Sequence, residues 1–142
     1  MKKTLFILAL AFIVSRFADA QELGVRFGNV VGNYAALDLT WGFRTGRIHA
    51  DASFGDGVGA EALYDFLFGR LGDDNLYYYV GLGAFAWIGD PFALGISFEA
   101  GLEYRFQSAP VALGLDWRPA FQILSDADFY VDRFGLNLRY VF

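Results

Sequence analysis

The chain has 142 residues with no Cys, 3 Pro, 17 Gly, 16 Phe, 8 Tyr and 3 Trp, enough for one domain and suited to strands and turns rather than helices. The lack of cysteine excludes disulfides, thiolate catalysis and thiolate-held metals. A formal net charge of −5 argues against a nucleic-acid partner, which is gripped through basic groups.

The first twenty residues differ in character from the rest. Lys2 and Lys3 precede an apolar run over residues 4–14, and Ala18-Asp19-Ala20 supplies small residues before Gln21. That order is expected of a secretory signal peptide with an A-x-A cleavage site, and the run is short for a membrane span. The expected division is therefore a signal peptide over 1–20 and a single β-barrel domain over 21–142. Lys2, Lys3, Arg16 and Asp19 leave with the leader, so the remainder carries 8 Arg, no Lys and 15 acids, a net charge of −7. No apolar stretch of it is long enough for a membrane helix, so any crossing must be made by strands.

From Gln21 onward, apolar and polar residues alternate with period two between short turns. The first predicted strand carries Leu23, Val25 and Phe27 on one face and Glu22 and Arg26 on the other. The second sets Leu37, Leu39, Trp41 and Phe43 against Asp38 and Thr40. The third sets Ile48, Ala50, Ala52 and Phe54 against Arg47, His49, Asp51 and Ser53. The fourth sets Tyr64, Phe66 and Phe68 against Glu61 and Asp65. The fifth, over residues 76–88, has aromatics on both faces, and pairing it with the sixth turns Val80, Leu82, Ala84 and Ala86 outward. The sixth is the cleanest, with Leu94, Ile96, Phe98, Leu102, Tyr104 and Phe106 against Ser97, Glu99, Glu103 and Arg105. The seventh sets Val111, Leu113, Leu115 and Trp117 against Asp116 and Arg118. The eighth sets Phe134, Leu136, Leu138, Tyr140 and Phe142 against Arg133, Asn137 and Arg139.

Eight strands cannot pack so many aromatic rings inside, because an eight-stranded interior barely holds ordinary side chains. The apolar face is therefore expected to point outward to lipid and the charged face inward, the polarity of a membrane barrel. The expected fold is all-β, an eight-stranded antiparallel up-and-down transmembrane β-barrel. An even strand count puts both ends on the periplasmic side. Turns near Thr45-Gly46, Gly72-Asp73-Asp74 and Ser108-Ala109 then share that side, and the outer loops fall at 29–33, 55–57, 89–91 and 119–128.

The segments Gly101-Leu-Glu-Tyr-Arg-Phe106, Leu115-Asp-Trp-Arg-Pro-Ala-Phe121 and Phe134-Gly-Leu-Asn-Leu-Arg-Tyr-Val-Phe142 give the chain its resemblance to the small OmpX/OmpA-type outer-membrane barrels. Within them it is most similar to the compact, largely uncharacterised barrel proteins of Bacteroidota. The resemblance implies a monomer in the outer membrane of a Gram-negative cell, inserted by the barrel assembly machinery with the help of periplasmic chaperones. It implies no activity. The outer loops are shorter than those of OmpX, which leaves little for an adhesive role.

Three groups of residues are candidates for a role. Phe134, Leu136, Leu138, Tyr140 and Phe142 resemble the terminal signal read by the assembly machinery, since an unpaired apolar strand can add to a sheet edge. Trp41, Phe43, Phe66, Phe68, Tyr104 and Phe106, with Tyr140 and Phe142, fall at one end of their strands and are expected to form an aromatic girdle. The inward face collects Glu22, Asp38, Asp51, Glu61, Asp65, Glu99, Glu103 and Asp116 against Arg26, Arg47, Arg105, Arg118, Arg133 and Arg139, which should pair because isolated buried charges are costly. Counting from the turns sets Glu99 against Arg118 and Arg47 against Asp65, and places Arg26 near Asp38. It also sets Asp51 against Glu61, a repulsion that a neighbouring Arg, His49 or a shared proton must relieve.

His49, Asp51 and Ser53 are the residue types of a hydrolase triad, but steps of about 6–7 Å along one strand face hold them too far apart for hydrogen bonds. The motifs of the lipid A deacylase and palmitoyltransferase barrels are absent. One His with scattered carboxylates has no ligand spacing for a metal, and no cofactor is expected. The expected role is that of an integral membrane protein without catalysis, with a lipid A-modifying enzyme and a narrow channel as the alternatives.

Overall fold

The alternation becomes ten strand segments in the computed structural model, which describes residues 21–72 and 74–142. The expected signal peptide and the turn residue Asp73 lie outside the described residues. The segments are β1 (Gln21–Val30), β2 (Asn33–Gly42), β3 (Arg47–Phe54), β4 (Val58–Arg70), β5 (Leu76–Ile88), β6 (Ala93–Arg105), β7 (Val111–Trp117), β8 (Ala120–Leu124), β9 (Asp128–Tyr130) and β10 (Phe134–Val141). Every neighbour is antiparallel, and the order β5-β4-β3-β2-β1-β10-β7-β6 returns to β5 through the β5–β6 pairing, so the sheet closes. β7 and β8 both pair with β6 and form one barrel strand broken at 118–119. β9 and β10 form another, broken at 131–133, with β9 on β8 and β10 on β7. The result is a closed, all-β barrel of eight antiparallel strands.

Three local features depart from simple alternation. Residues 119–128, expected as a loop, are mostly hairpin. Pro119 lacks an N–H, yet its carbonyl still accepts from Phe98 N at 2.9 Å, so the strand resumes as β8. The turn expected over 29–33 is only Val31 and Gly32, both with positive φ, 44° and 80°, as a two-residue hairpin turn requires. On β4 a bulge lies between Asp65, opposite Gly81, and Leu67, opposite Val80. The extra residue inverts the facing beyond it. Phe68 therefore lies opposite the buried Tyr79, and its ring covers the Arg47 guanidinium at 4.6 Å and stacks on Tyr77 at 5.5 Å. Phe68 therefore does not take its expected place in an outward girdle: its ring, 38% exposed, leans over Arg47 and Arg105 at the mouth of the lumen, at the end that holds Gln21 and Phe142, called here the terminal end.

The polarity of the barrel is inverted relative to a soluble protein. Phe54 is 64% exposed and Leu115 57%, whereas Arg118, His49 and Asp38 are each 0% exposed. Outward aromatics pair along their strands near the terminal end, Trp41 on Phe43 at 5.8 Å, Tyr104 on Phe106 at 5.0 Å and Tyr140 on Phe142 at 5.0 Å. Within β5, Tyr79, Gly81 and Phe85 are buried and Leu82 and Ala84 exposed.

Candidate functional site, an ion-paired lumen

The inward face of each strand delivers its charges in layers. At the terminal end Arg105 donates to Glu22 at 2.6 Å and to Glu103 at 2.9 Å. Arg139 joins Glu103 at 2.5 Å and Asp38 at 2.5 Å. Arg47, set opposite Asp65 by the β3–β4 register, donates to it at 2.8 Å and to Glu103 at 3.0 Å. Thr40 adds a hydroxyl to Glu22 at 3.0 Å.

Halfway along the lumen lies the like-charged pair Asp51 and Glu61, directly opposite each other. Arg118 resolves it. Its Nη1 donates to Glu61 at 2.8 Å and also to Asp51, while its Nε donates to Glu99 at 2.9 Å. The structure thus brings Glu99 to Arg118 and Arg47 to Asp65. His49 lies between Asp38, 2.5 Å from Nε2, and Glu99, 3.1 Å from Nδ1, with the Arg118 guanidinium 2.9 Å from Nε2.

Arg26 does not go to Asp38. The β1–β2 register places it opposite Ala36 and puts Gly24 opposite Asp38. The side chain instead crosses Gly135, where a Cβ would stand 2.4 Å from the guanidinium carbon, and donates to Asp116 from Nη2 at 2.6 Å and from Nε at 3.1 Å. Asn137 donates to the same carboxylate at 2.7 Å. Asp38 takes Arg139 and His49 in its place. Nearest the far end, Arg133 donates to Glu61 at 2.7 Å and to Ser97 at 3.2 Å.

Two lumen residues were not named by the sequence reading, although the outward facing of Val80, Leu82, Ala84 and Ala86 turns their positions inward. Tyr79 and Phe85 are buried inside, each opposite a glycine, Gly101 and Gly95. A Cβ at those glycines would stand 2.2 Å and 2.4 Å from the ring atoms. The signal was in β5 itself, where aromatics on both faces coincide with glycines on the inward face of β6. Ser53, weighed with His49 and Asp51, donates to the Val30 carbonyl at 3.1 Å and accepts from Asn33 at 3.0 Å, so it anchors the β1–β2 turn.

Two carboxylate groups around His49, Asp38 with Asp51 and Asp65 with Glu99, bring ligand-type atoms within 4.8 Å of one another. The guanidinium groups of Arg118 and Arg139, at 2.9 and 3.2 Å from the same imidazole, already supply the positive charge a metal would bring, so these side chains fit an ion-pair network better than a metal centre. On β10 the side chains of Phe134, Leu136, Leu138 and Tyr140 are exposed, as is Phe142 beyond its end. Both edges of that strand are paired, to β1 and to β7.

Comparison with known family models, curated proteins and solved structures finds no match to this chain. The class of protein is therefore defined by geometry alone: a closed eight-stranded antiparallel β-barrel with an apolar exterior and an extensive buried salt-bridge network inside.

Proposed function

We propose that the chain is an integral outer-membrane protein with a structural or interaction role and no catalysis, its lumen filled by ion pairs. The observation that carries this reading is the inverted polarity. An exterior of exposed Phe, Leu, Ile and Trp around a charged interior is unfavourable in water, where apolar patches of that extent drive association. In lipid the same exterior needs no cover, and the closed ladder satisfies the backbone along the barrel wall. The stacked pair Trp41–Phe43 and the edge-on pairs Tyr104–Phe106 and Tyr140–Phe142 fit an aromatic girdle at the terminal end, with Phe66 outward beside them. Phe27, Phe54, Trp117 and Phe134 suit the opposite rim. In this reading the barrel is a monomer surrounded by outer-membrane lipid, delivered by periplasmic chaperones and inserted by the barrel assembly machinery. The terminal residues Phe134 to Phe142 serve that machinery before β10 pairs with β1, while its edge is still open.

Expression in a Gram-negative host with cell fractionation tests the reading. The protein is expected in the outer-membrane fraction, resistant to alkaline and urea washes, shifting on unheated gels, and beginning at Gln21 by intact mass. Recovery of folded protein from the periplasm without detergent would overturn it. A change in the mass spectrum of lipid A that depends on His49 would favour the lipid-modifying enzyme instead.

A further inference from the structure

At the far end the closed ladder stops short. β1 stays paired with β10 only as far as Gly28 opposite Gly135, while β8 and β9 continue as a hairpin held by β6. Between the β1–β2 turn and this hairpin lies a cleft of about 490 Å³. That volume falls within the range of small-molecule sites, and the mouth of a β-barrel is one of their recurrent places.

The apolar wall of the cleft is preformed. Its lining residues Val31 and Phe85 are buried in a cluster with Ala120, and Trp87 and Tyr130 pack against that cluster. The Trp87 indole rests on glycines from three different turns. A Cβ at Gly32, Gly57 or Gly89 would stand 3.0, 2.6 and 2.6 Å from its ring atoms. Among the described residues, the three non-glycine positions with positive φ are Val31, Ser125 and Asp126, and all three line the cleft. Such conformations are costly and cluster where ligands bind.

Arg133, 3% exposed, forms the floor. Its Nη1 and Nη2 are taken by Ser97 and Glu61, but its Nε has neither a hydrogen-bond partner nor accessible surface, so an acceptor in the cleft reaches it once the guanidinium turns toward the cleft. A buried donor left unmade is expensive. Other polar groups of the lining satisfy one another: Tyr130 Oη donates to Gln122 Oε1 at 3.0 Å, and Gln122 Nε2 to the Asp126 carbonyl at 3.1 Å. Asp126 and Asp128 lie in the lining as well, and their charge disfavours a free anion.

We propose that this cleft binds a small uncharged molecule with a flat apolar body and one carbonyl-type acceptor, the body lying on Trp87 and Tyr130 over the buried Phe85 and the acceptor meeting Arg133 Nε as the guanidinium turns toward the cleft. The site goes beyond the membrane-structural reading and does not depend on it.

Solution NMR of the refolded, isotope-labelled barrel in detergent micelles provides the test, with benzamide and toluene as probes. Trp41 and Trp117 sit on the outer wall and report partition of a probe into the micelle. Benzamide is expected to give a saturable shift of the Trp87 indole N–H and the Arg133 Nε–H, and to bind about tenfold more tightly than toluene, the worth of one hydrogen bond to a charged donor. In a Trp87→Ala barrel that still folds, the benzamide response at Arg133 should weaken at least several-fold. Absence of saturation, equal movement of all three indoles, equal binding of toluene, or an unchanged response in Trp87→Ala would each overturn the proposal. The first three are read on the unaltered protein, so the proposal is tested even if Trp87→Ala does not fold.

Discussion

Arg118 shows how one side chain can set the interior of a barrel. It is fully buried and holds Glu99, Glu61 and Asp51, with Asp116 at 3.5 Å. Removing it leaves Asp51 in low dielectric without a counter-charge and takes one partner from each of Glu61, Glu99 and Asp116, which costs more than the net worth of any single pair. Arg118→Met is therefore expected to destabilise the refolded barrel by about 3–5 kcal/mol, read as a lower urea midpoint at unchanged slope. Arg105 offers the contrast. It also bridges two acids, but its side chain is 33% exposed at the terminal mouth. Water and salt screen it there, and Arg105→Gln should cost about 1 kcal/mol or less. Equal losses for the two variants would show that burial does not govern these pairs. Because the central pairs are shielded, added salt should weaken the Arg105 contribution first.

At the scale of strands, the large inward side chains fit only because glycines face them. Tyr79 lies opposite Gly101, whose missing Cβ leaves the space the phenol ring occupies. Gly101→Ala should overpack this point and cost roughly 1–3 kcal/mol. In a barrel already carrying Tyr79→Leu the same change should cost much less, a coupling that a double-mutant cycle measures directly; simple additivity would contradict the fit. The terminal strand carries a second expectation. Its outward residues end in Phe142, and if they are read by the assembly machinery, deletion of Phe142 should lower the amount of heat-modifiable barrel while leaving cleavage of the leader intact. Unchanged folded protein in the outer membrane would remove the signal role. Strand positions, the inward charges and the opposition of Arg47 to Asp65 were legible in the sequence because alternation and short turns fix register. What was not legible depends on departures from that rule. The bulge on β4 turned Phe68 inward, Pro119 disguised a continuing strand as a loop, and Arg26 passed over Gly135 to an acid two strands away from β1. None of these leaves a periodic mark along the chain.

Across the whole molecule, the ion pairs, the aromatic rings and the bulge act together on one property, whether anything can pass through. The middle of the lumen is crossed by Arg118, Arg139 and His49, each nearly or fully buried among carboxylates from several strands. Below them Phe68 and Tyr79 sandwich the Arg47 guanidinium at 4.6 and 4.7 Å, and Tyr77 lies under Arg105 at 4.8 Å. The cleft at the far end is floored by Arg133 and its partners Glu61 and Ser97. An eight-stranded interior is just wide enough to be filled by such side chains, and an ion moving through would have to break paired charges whose separation in low dielectric is costly. Purified, refolded barrel inserted in planar bilayers is therefore expected to give no stable single-channel steps. The Arg118→Ser variant, which deletes the central plug while keeping a small polar group, is the sharper probe. If it remains folded, brief cation-favouring openings should emerge, because Asp51 loses its guanidinium partner and would line the gap with Glu61 and Glu99, which keep only Arg133 and His49 as counter-charges. Stable conductance from the unaltered barrel, scaling with salt concentration, would refute the sealed lumen and favour the narrow-channel reading.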